Sequence, residues 1–207
     1  MREDTKTITF AAGICIVVSL LLSGTAALLK PAQQANEAYD VKRNIVKAFG
    51  IDTGSMARPD IEATYEKHVK QQEGTLPLYT WTDEGKDQPS KYAFPISGKG
   101  LWSMLHGYLS LESDLETIAG ISFYKHGETP GLGAEIEKNW FQSQFVGKKL
   151  YKDGVATPFQ VVKSGTPLTE SSVDGISGAT LTGNGVQALI RKDAAAYAGY
   201  FKTIREN

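Results

Sequence analysis

The sequence predicts an α+β fold: one N-terminal transmembrane helix, then a single soluble domain in which helices flank an antiparallel sheet. Three observations predict it. Ile8 to Leu29 runs for 22 residues without a charge, and as a helix it reaches roughly 33 Å, enough to cross a bilayer core. The strand-like segments after it lie in adjacent pairs and outnumber the helices of the soluble part, which favours antiparallel pairing over a doubly wound sheet. At the C-terminus Val186, Leu189, Ile190, Ala194, Tyr197, Tyr200, Phe201 and Ile204 recur at helical spacing.

Composition narrows the function classes. With 207 residues, 41% of them hydrophobic, the chain holds one ordinary core plus an extra element, so residues 1–30 are read as the membrane anchor and 31–207 as one soluble domain. Lys and Arg total 22 against 23 Asp and Glu, and no block of like charge stands out, which argues against a nucleic-acid partner. A single cysteine, Cys15, excludes an internal disulfide, a cysteine-ligated iron–sulfur cluster and a C-x-x-C-H haem site. His68, His106 and His126 are isolated from one another, so no metal site is expected.

Taken in order, the apolar run is expected to stay as an anchor. A cleavable signal peptide competes with that reading, because the small residues Ser23 to Ala27 follow its most apolar part. Arg2 and Lys6 precede the run and Lys30, Lys42 and Arg43 follow it, so charge leaves the orientation open. Ala38, Val41, Ile45, Ala48 and Phe49 continue a helix up to Gly50. A second helix is expected from Pro59 to about Gln72. Leu76–Trp81 and Lys91–Ile96 form a hairpin around Asp83–Lys86, with Pro77 and Pro95 marking edge or end positions. Gly107–Glu112 and Ile118–Tyr124 are expected as central strands. The turn-forming run His126–Gly133 leads into a helical stretch, Ala134–Phe145, capped by Thr129 with Pro130 in its first turn. Gly131-x-Gly133 lacks the third glycine of a dinucleotide fingerprint. Pro158–Val162 supplies another strand, and Ser164–Val173 is a polar loop.

The stretch that carries chemistry is Asp174-Gly175-Ile176-Ser177-Gly178-Ala179-Thr180, which delivers a hydroxyl into a glycine-lined turn before a helix expected to begin near Thr182. A helix start offers unpaired N–H groups and partial positive charge, and glycines let a bulky anion approach, so a phosphate suits it. Taken alone, such a loop is also an ordinary N-cap. Gly175 to Ala179 approaches the G-x-S-x-G elbow of serine hydrolases, but no histidine follows Ser177.

Three separated segments together resemble one family. Tyr92 to Trp102, then Gly127 to Glu137 with Phe145 to Leu150, then Asp174 to Gln187 are similar to the C subunit of the sodium-translocating NADH:quinone oxidoreductase. The S-G-A-T motif is shared with other covalent flavoproteins, including the G subunit of the related ferredoxin:NAD oxidoreductase, while the Tyr92 to Trp102 segment favours the quinone reductase. The resemblance implies FMN joined by a phosphoester to Thr180, a separate flavin transferase that makes the bond from FAD, and a soluble domain on the periplasmic side of the inner membrane. It implies an electron relay working with the other subunits of the complex, with no independent catalysis by the isolated chain. Around Thr180 the acceptor loop supplies Ser177, Gly178 and Ala179; Glu128, Thr129, Leu132 and Gly133 are expected to line the flavin together with Trp102 or a neighbouring aromatic, with Glu128 or Thr129 bonding the polar edge of the ring. The ferredoxin-linked G subunit is the alternative reading. A membrane-tethered binding domain without redox chemistry is the rival from another class, and it would be colourless.

Overall fold

The computed structural model describes residues 2–206 and divides into two compact units, Met1–Asp40 and Val41–Asn207. From Arg2 onward the first unit is helix. It belongs to α1 (Arg2–Ala48), which contains Pro31 without ending there. Ile8, Phe10, Leu20, Leu21 and Leu28 are each more than half exposed. α1 is long and apolar enough to cross a membrane.

The second unit is built on a five-stranded antiparallel sheet in the order β1 (Val69–Gln72), β2 (Leu78–Trp81), β3 (Lys91–Lys99), β4 (Met104–Glu112), β5 (Ile118–Lys125). One core lies where α4 (Thr180–Glu206) meets the sheet: Val186, Leu189, Ile190, Tyr197 and Phe201 pack with Leu78, Phe94, Ile96, Leu105 and Leu109. The helix comes so close to β3 that a Cβ on Gly98 would stand 2.5 Å from the Leu189 Cβ. A second, smaller core joins Ile45, Ala48 and Phe49 at the end of α1 to Val69, Trp81, Ala93 and Tyr108. The carbonyls that a helix end leaves open are taken up there by side chains of the sheet. Ser122 Oγ donates to the Asn44 carbonyl at 2.9 Å, Ser110 Oγ to that of Ala48, and Lys91 Nζ to that of Phe49 at 2.9 Å. Gly50, at φ +90°, then turns the chain away.

Several local expectations are corrected. α2 spans only Arg58–His68, and Val69–Gln72 is a strand. No glycine or proline separates the two; the Val69 N–H closes the helix on the Tyr65 carbonyl while its backbone turns extended, and β1 pairs with β2. Pro95 lies inside β3, the middle strand, but β2 pairs with β3 only from Lys91 to Ala93, so Pro95 sits beyond that ladder. β5 ends the sheet rather than lying inside it, yet Ile118 to Phe123 are all buried, its rim covered by bonds from Gly147 N to Ile118 O and from Ile118 N to Lys148 O. The Ala134–Phe145 stretch is broken into 3₁₀ turns at Gly133–Glu137 and Ser143–Phe145 around a single helical turn, α3 (Asn139–Gln142). Thr129 does not cap a helix with its side chain; its carbonyl instead takes the N–H groups of Leu132 and Ala134, both at 3.1 Å. Four short strands had no expected counterpart or only part of one: β6 (Tyr151–Lys152) pairs with β7 (Val155–Ala156), and β8 (Gln160–Val162) runs parallel to β9 (Ser172–Asp174).

Candidate functional site

Residues 174 to 180 leave β9, turn through Gly178 at φ +78°, and enter α4 at Thr180. The glycine is required by that φ, which lies in the left-handed region, and by the Leu132 Cδ2, 3.0 Å from where its Cβ would be. Gly175 is held against β8, its N–H on the Val162 carbonyl at 2.7 Å. Ala179 is buried; its N–H donates to the Ile176 carbonyl at 3.0 Å and its carbonyl accepts the Gly183 N–H at 3.0 Å. That bond opens α4 two residues earlier than expected. The N–H groups of its first turn are the donors that every helix start leaves open.

The three hydroxyls of this region have separate environments. Thr182 is 1% exposed, and its Oγ1 donates to Glu128 Oε2 at 2.6 Å. Ser177 and Thr180 are exposed, and among the described residues neither hydroxyl has a hydrogen-bond partner. Thr180 opens into a cavity of about 300 Å³ with Ser177, Val161, Val162, Lys163 and Asn184 in its wall.

Glu128 is the organising group beneath. Its carboxylate accepts from Thr182 and from three consecutive N–H groups, Leu101 at 3.3 Å, Trp102 at 2.9 Å and Ser103 at 3.3 Å. Burial pushes its pKa up, but the hydrogen bonds from Thr182 and from the three N–H groups outweigh that and hold it below the ordinary glutamate value. These four donors fill the acceptor positions of a carboxylate. The expected bond from Glu128 to the edge of a flavin therefore has no lone pair left for it, and the side chain acts as a clamp inside the chain.

The other expected residues are brought into the same neighbourhood by different means. Gly133 fits because a Cβ there would stand 2.5 Å from Thr182 Oγ1 and 2.9 Å from Glu128 Cβ. Leu132 is 41% exposed and touches the loop at Gly178. Trp102 joins through its backbone, and its indole is 71% exposed. Thr129 contributes only a carbonyl to the turn. Leu101, Met104 and Leu181 are exposed apolar side chains on the segments that Glu128 ties together.

Sequence reasoning missed the bond from Thr182 to Glu128, and it missed His126, Lys163 and Asn184. His126 Nδ1 accepts the Glu128 N–H at 3.2 Å, and its Nε2 lies 2.7 Å from the Glu137 carboxylate. The Nδ1 contact helps fix the backbone of the clamp residue. Spacing gave a signal only for Thr182, two residues past Thr180 on a helix; the others depend on contacts between distant segments, as the Thr182 bond itself does across 54 residues.

Known proteins similar to this chain fall in one family. An FMN-binding domain family matches residues 100–194. The C subunit of the Na(+)-translocating NADH-quinone reductase of Vibrio vulnificus is 34% identical, the match taking in 88% of this chain and 87% of its own length. That of Pseudomonas aeruginosa is 32% identical over 91% and 90%. The crystal structure of the Parabacteroides distasonis C subunit superposes with a TM-score of 0.72 at 33% identity, over 84% of this chain and 96% of that one. NqrC of Shewanella oneidensis, 24% identical with a TM-score of 0.74, has the same fold. By these likenesses the chain belongs to the family of the C subunit of the Na(+)-translocating NADH-quinone reductase.

Proposed function

We propose that this chain is a single-pass inner-membrane flavoprotein subunit of a sodium-translocating NADH:quinone reductase. It carries one FMN as a phosphoester on Thr180 Oγ1 and relays electrons within the complex. The observation that carries the reading is the contrast between the two threonines at the start of α4: Thr182 is buried and bonded to Glu128, while Thr180 is exposed, has no hydrogen-bond partner among the described residues and lies beside a cavity that it shares with Ser177. The residues present fit the group. Gly178 and Ala179 leave the approach to Thr180 uncrowded, and the cavity combines aliphatic walls with the polar ends of Lys163 and Asn184.

FMN bound there would supply reversible one- and two-electron redox chemistry. The chain's own contribution is to hold and orient. Leu132 and Trp102 offer exposed apolar surface for the ring, and Glu128 fixes the backbone on which both approaches depend. A covalent bond keeps the carrier in place between encounters, a task for which the helix dipole, worth about 0.3 to 1 kcal/mol at an exposed site, is too weak. In this reading α1 anchors the chain, the part after residue 30 is the flavin domain on the periplasmic side, and a flavin transferase meets it there during maturation.

The test is Thr180→Val, expressed with the transferase. The variant should fold and reach the membrane, yet show no fluorescent band on a denaturing gel. A band that survives in Thr180→Val and vanishes in Ser177→Ala would overturn the assignment.

A further inference from the structure

The cavity beside Thr180 holds a cation that the acceptor motif does not announce. Lys163 directly follows β8, and β8 is fastened on two sides. The Val161 N–H donates to Gln187 Oε1 of α4 at 3.1 Å, and Arg191 Nε donates to the Phe159 carbonyl just before the strand at 2.7 Å. On the other side the Val162 carbonyl accepts the Gly175 N–H, at the root of the acceptor loop. The strand is thereby tied both to the helix that Thr180 begins and to the loop that delivers it. The residue after it lines the same cavity as Thr180, with Ser164 and Asn184. Lys163 is exposed, and among the described residues no carboxylate pairs with it, whereas Lys149, Lys152 and Lys192 each meet one.

We propose that Lys163 is a positioning residue for the flavin phosphate, meeting the diphosphate of the FAD donor during attachment and the phosphodiester afterwards. This rests on the reading of Thr180 as the acceptor. In the attachment step Thr180 Oγ1 forms a bond to the phosphorus on the riboflavin side of FAD. The bond from that phosphorus to the bridging oxygen breaks, AMP leaves with the electron pair, and the hydroxyl proton passes to a base of the transferase. Donor and product are both anionic at that phosphorus. A compact ammonium on a flexible stem suits a group that changes its bonding partner while keeping its negative charge, and it adds to the positive end of α4.

The experiment follows the initial rate of flavin incorporation into the full-length chain, using purified flavin transferase and FAD. Wild type is compared with Lys163→Ala, Lys163→Arg and Lys163→Glu. The alanine variant should be slower by about two- to tenfold, the range of a partly exposed charge-assisted contact. Arginine should restore the rate and glutamate should lower it further, and added salt should narrow the gap between wild type and alanine. The ³¹P resonance of the finished phosphodiester should move in the alanine variant and return with arginine. Equal rates in all four proteins, an arginine variant as slow as alanine, or a slow alanine variant with an unmoved ³¹P resonance would each overturn the role of Lys163. Peptide mass mapping separates the two readings. Label on Thr180 with equal rates removes only Lys163, and label elsewhere removes Thr180 and Lys163 together.

Discussion

Thr180 and Thr182 lie two residues apart on the first turn of α4, carry the same side chain and meet opposite surroundings. Thr182 is enclosed by Glu128 and Gly133, with its hydroxyl bonded at 2.6 Å. Thr180 faces a cavity with its hydroxyl unbonded among the described residues. A helix turn rotates successive residues by about 100°, so two positions point to opposite sides of the axis. One helix turn thus supplies a structural bolt on its inner side and an open hydroxyl on its outer side. The difference shows that residue type alone does not decide what a hydroxyl can do; what separates these two is whether the fold has already used the hydrogen bond.

The inner side should break hardest. Glu128→Ala strips the acceptor from three N–H groups and from the Thr182 hydroxyl, and the loss should be about 2 to 4 kcal/mol in denaturant unfolding, since the buried hydroxyl left unsatisfied costs roughly 1 to 3 and the N–H groups, on residues that are not buried, add less because water can reach them. A loss under about 1 kcal/mol would mean that the clamp is not what holds the 101–103 segment. Thr182→Val keeps the shape but removes one donor, and about 1 to 3 kcal/mol of stability should go with it. Flavin should still attach at Thr180, which a denaturing gel shows directly.

A smaller effect appears on acidification. Because the folded pKa of Glu128 is depressed, its stabilisation is fully present above the unfolded value of about 4.3 and is lost as pH falls through the lower folded value. Asp114, held low by bonds from Thr117, Glu116 and Lys149 against its own burial, contributes in the same direction. Unfolding free energies measured from pH 6 to pH 3 should therefore fall less steeply in Glu128→Gln than in wild type, with the remaining slope from groups such as Asp114. The smallest effect on stability is expected on the outer side. Leu132→Ala should leave attachment intact while shifting the flavin midpoint potential, and an unchanged potentiometric titration would remove Leu132 from the ring site.

The long apolar helix, the hairpin from β2 to β3 and the C-terminal helix were legible because each rests on an apolar run or a period within one local segment, and the turn into α4 because its motif is contiguous. The rest depended on contacts between distant segments. Val69–Gln72 is polar at three of four positions and follows a helix without a breaker, so only its pairing with β2 makes it a strand. Residues 134–145 contain enough apolar side chains for a helix, but Ile136, Phe141 and Phe145 are all fully buried beneath the sheet, and short turns satisfy that demand. Parallel pairing of β8 with β9 spans a polar loop whose composition does not foretell it. Glu128 was visible as a polar residue near the site, but its partners are 25 to 54 residues away in sequence.

The way α1 ends has a practical consequence for anyone who wishes to cut the protein. The helix does not stop being needed where its apolar run stops: Ile45, Val46, Ala48 and Phe49 are at most 1% exposed, and the compact unit begins at Val41. A soluble fragment starting at Ile51 would remove these four side chains and leave a trough lined by Trp81, Ala93 and Tyr108. It would also strand Ser110, Ser122 and Lys91 without the carbonyls they bond. A fragment starting near Val41 retains that plug. The shortest useful truncation therefore carries about two turns of the helix with it.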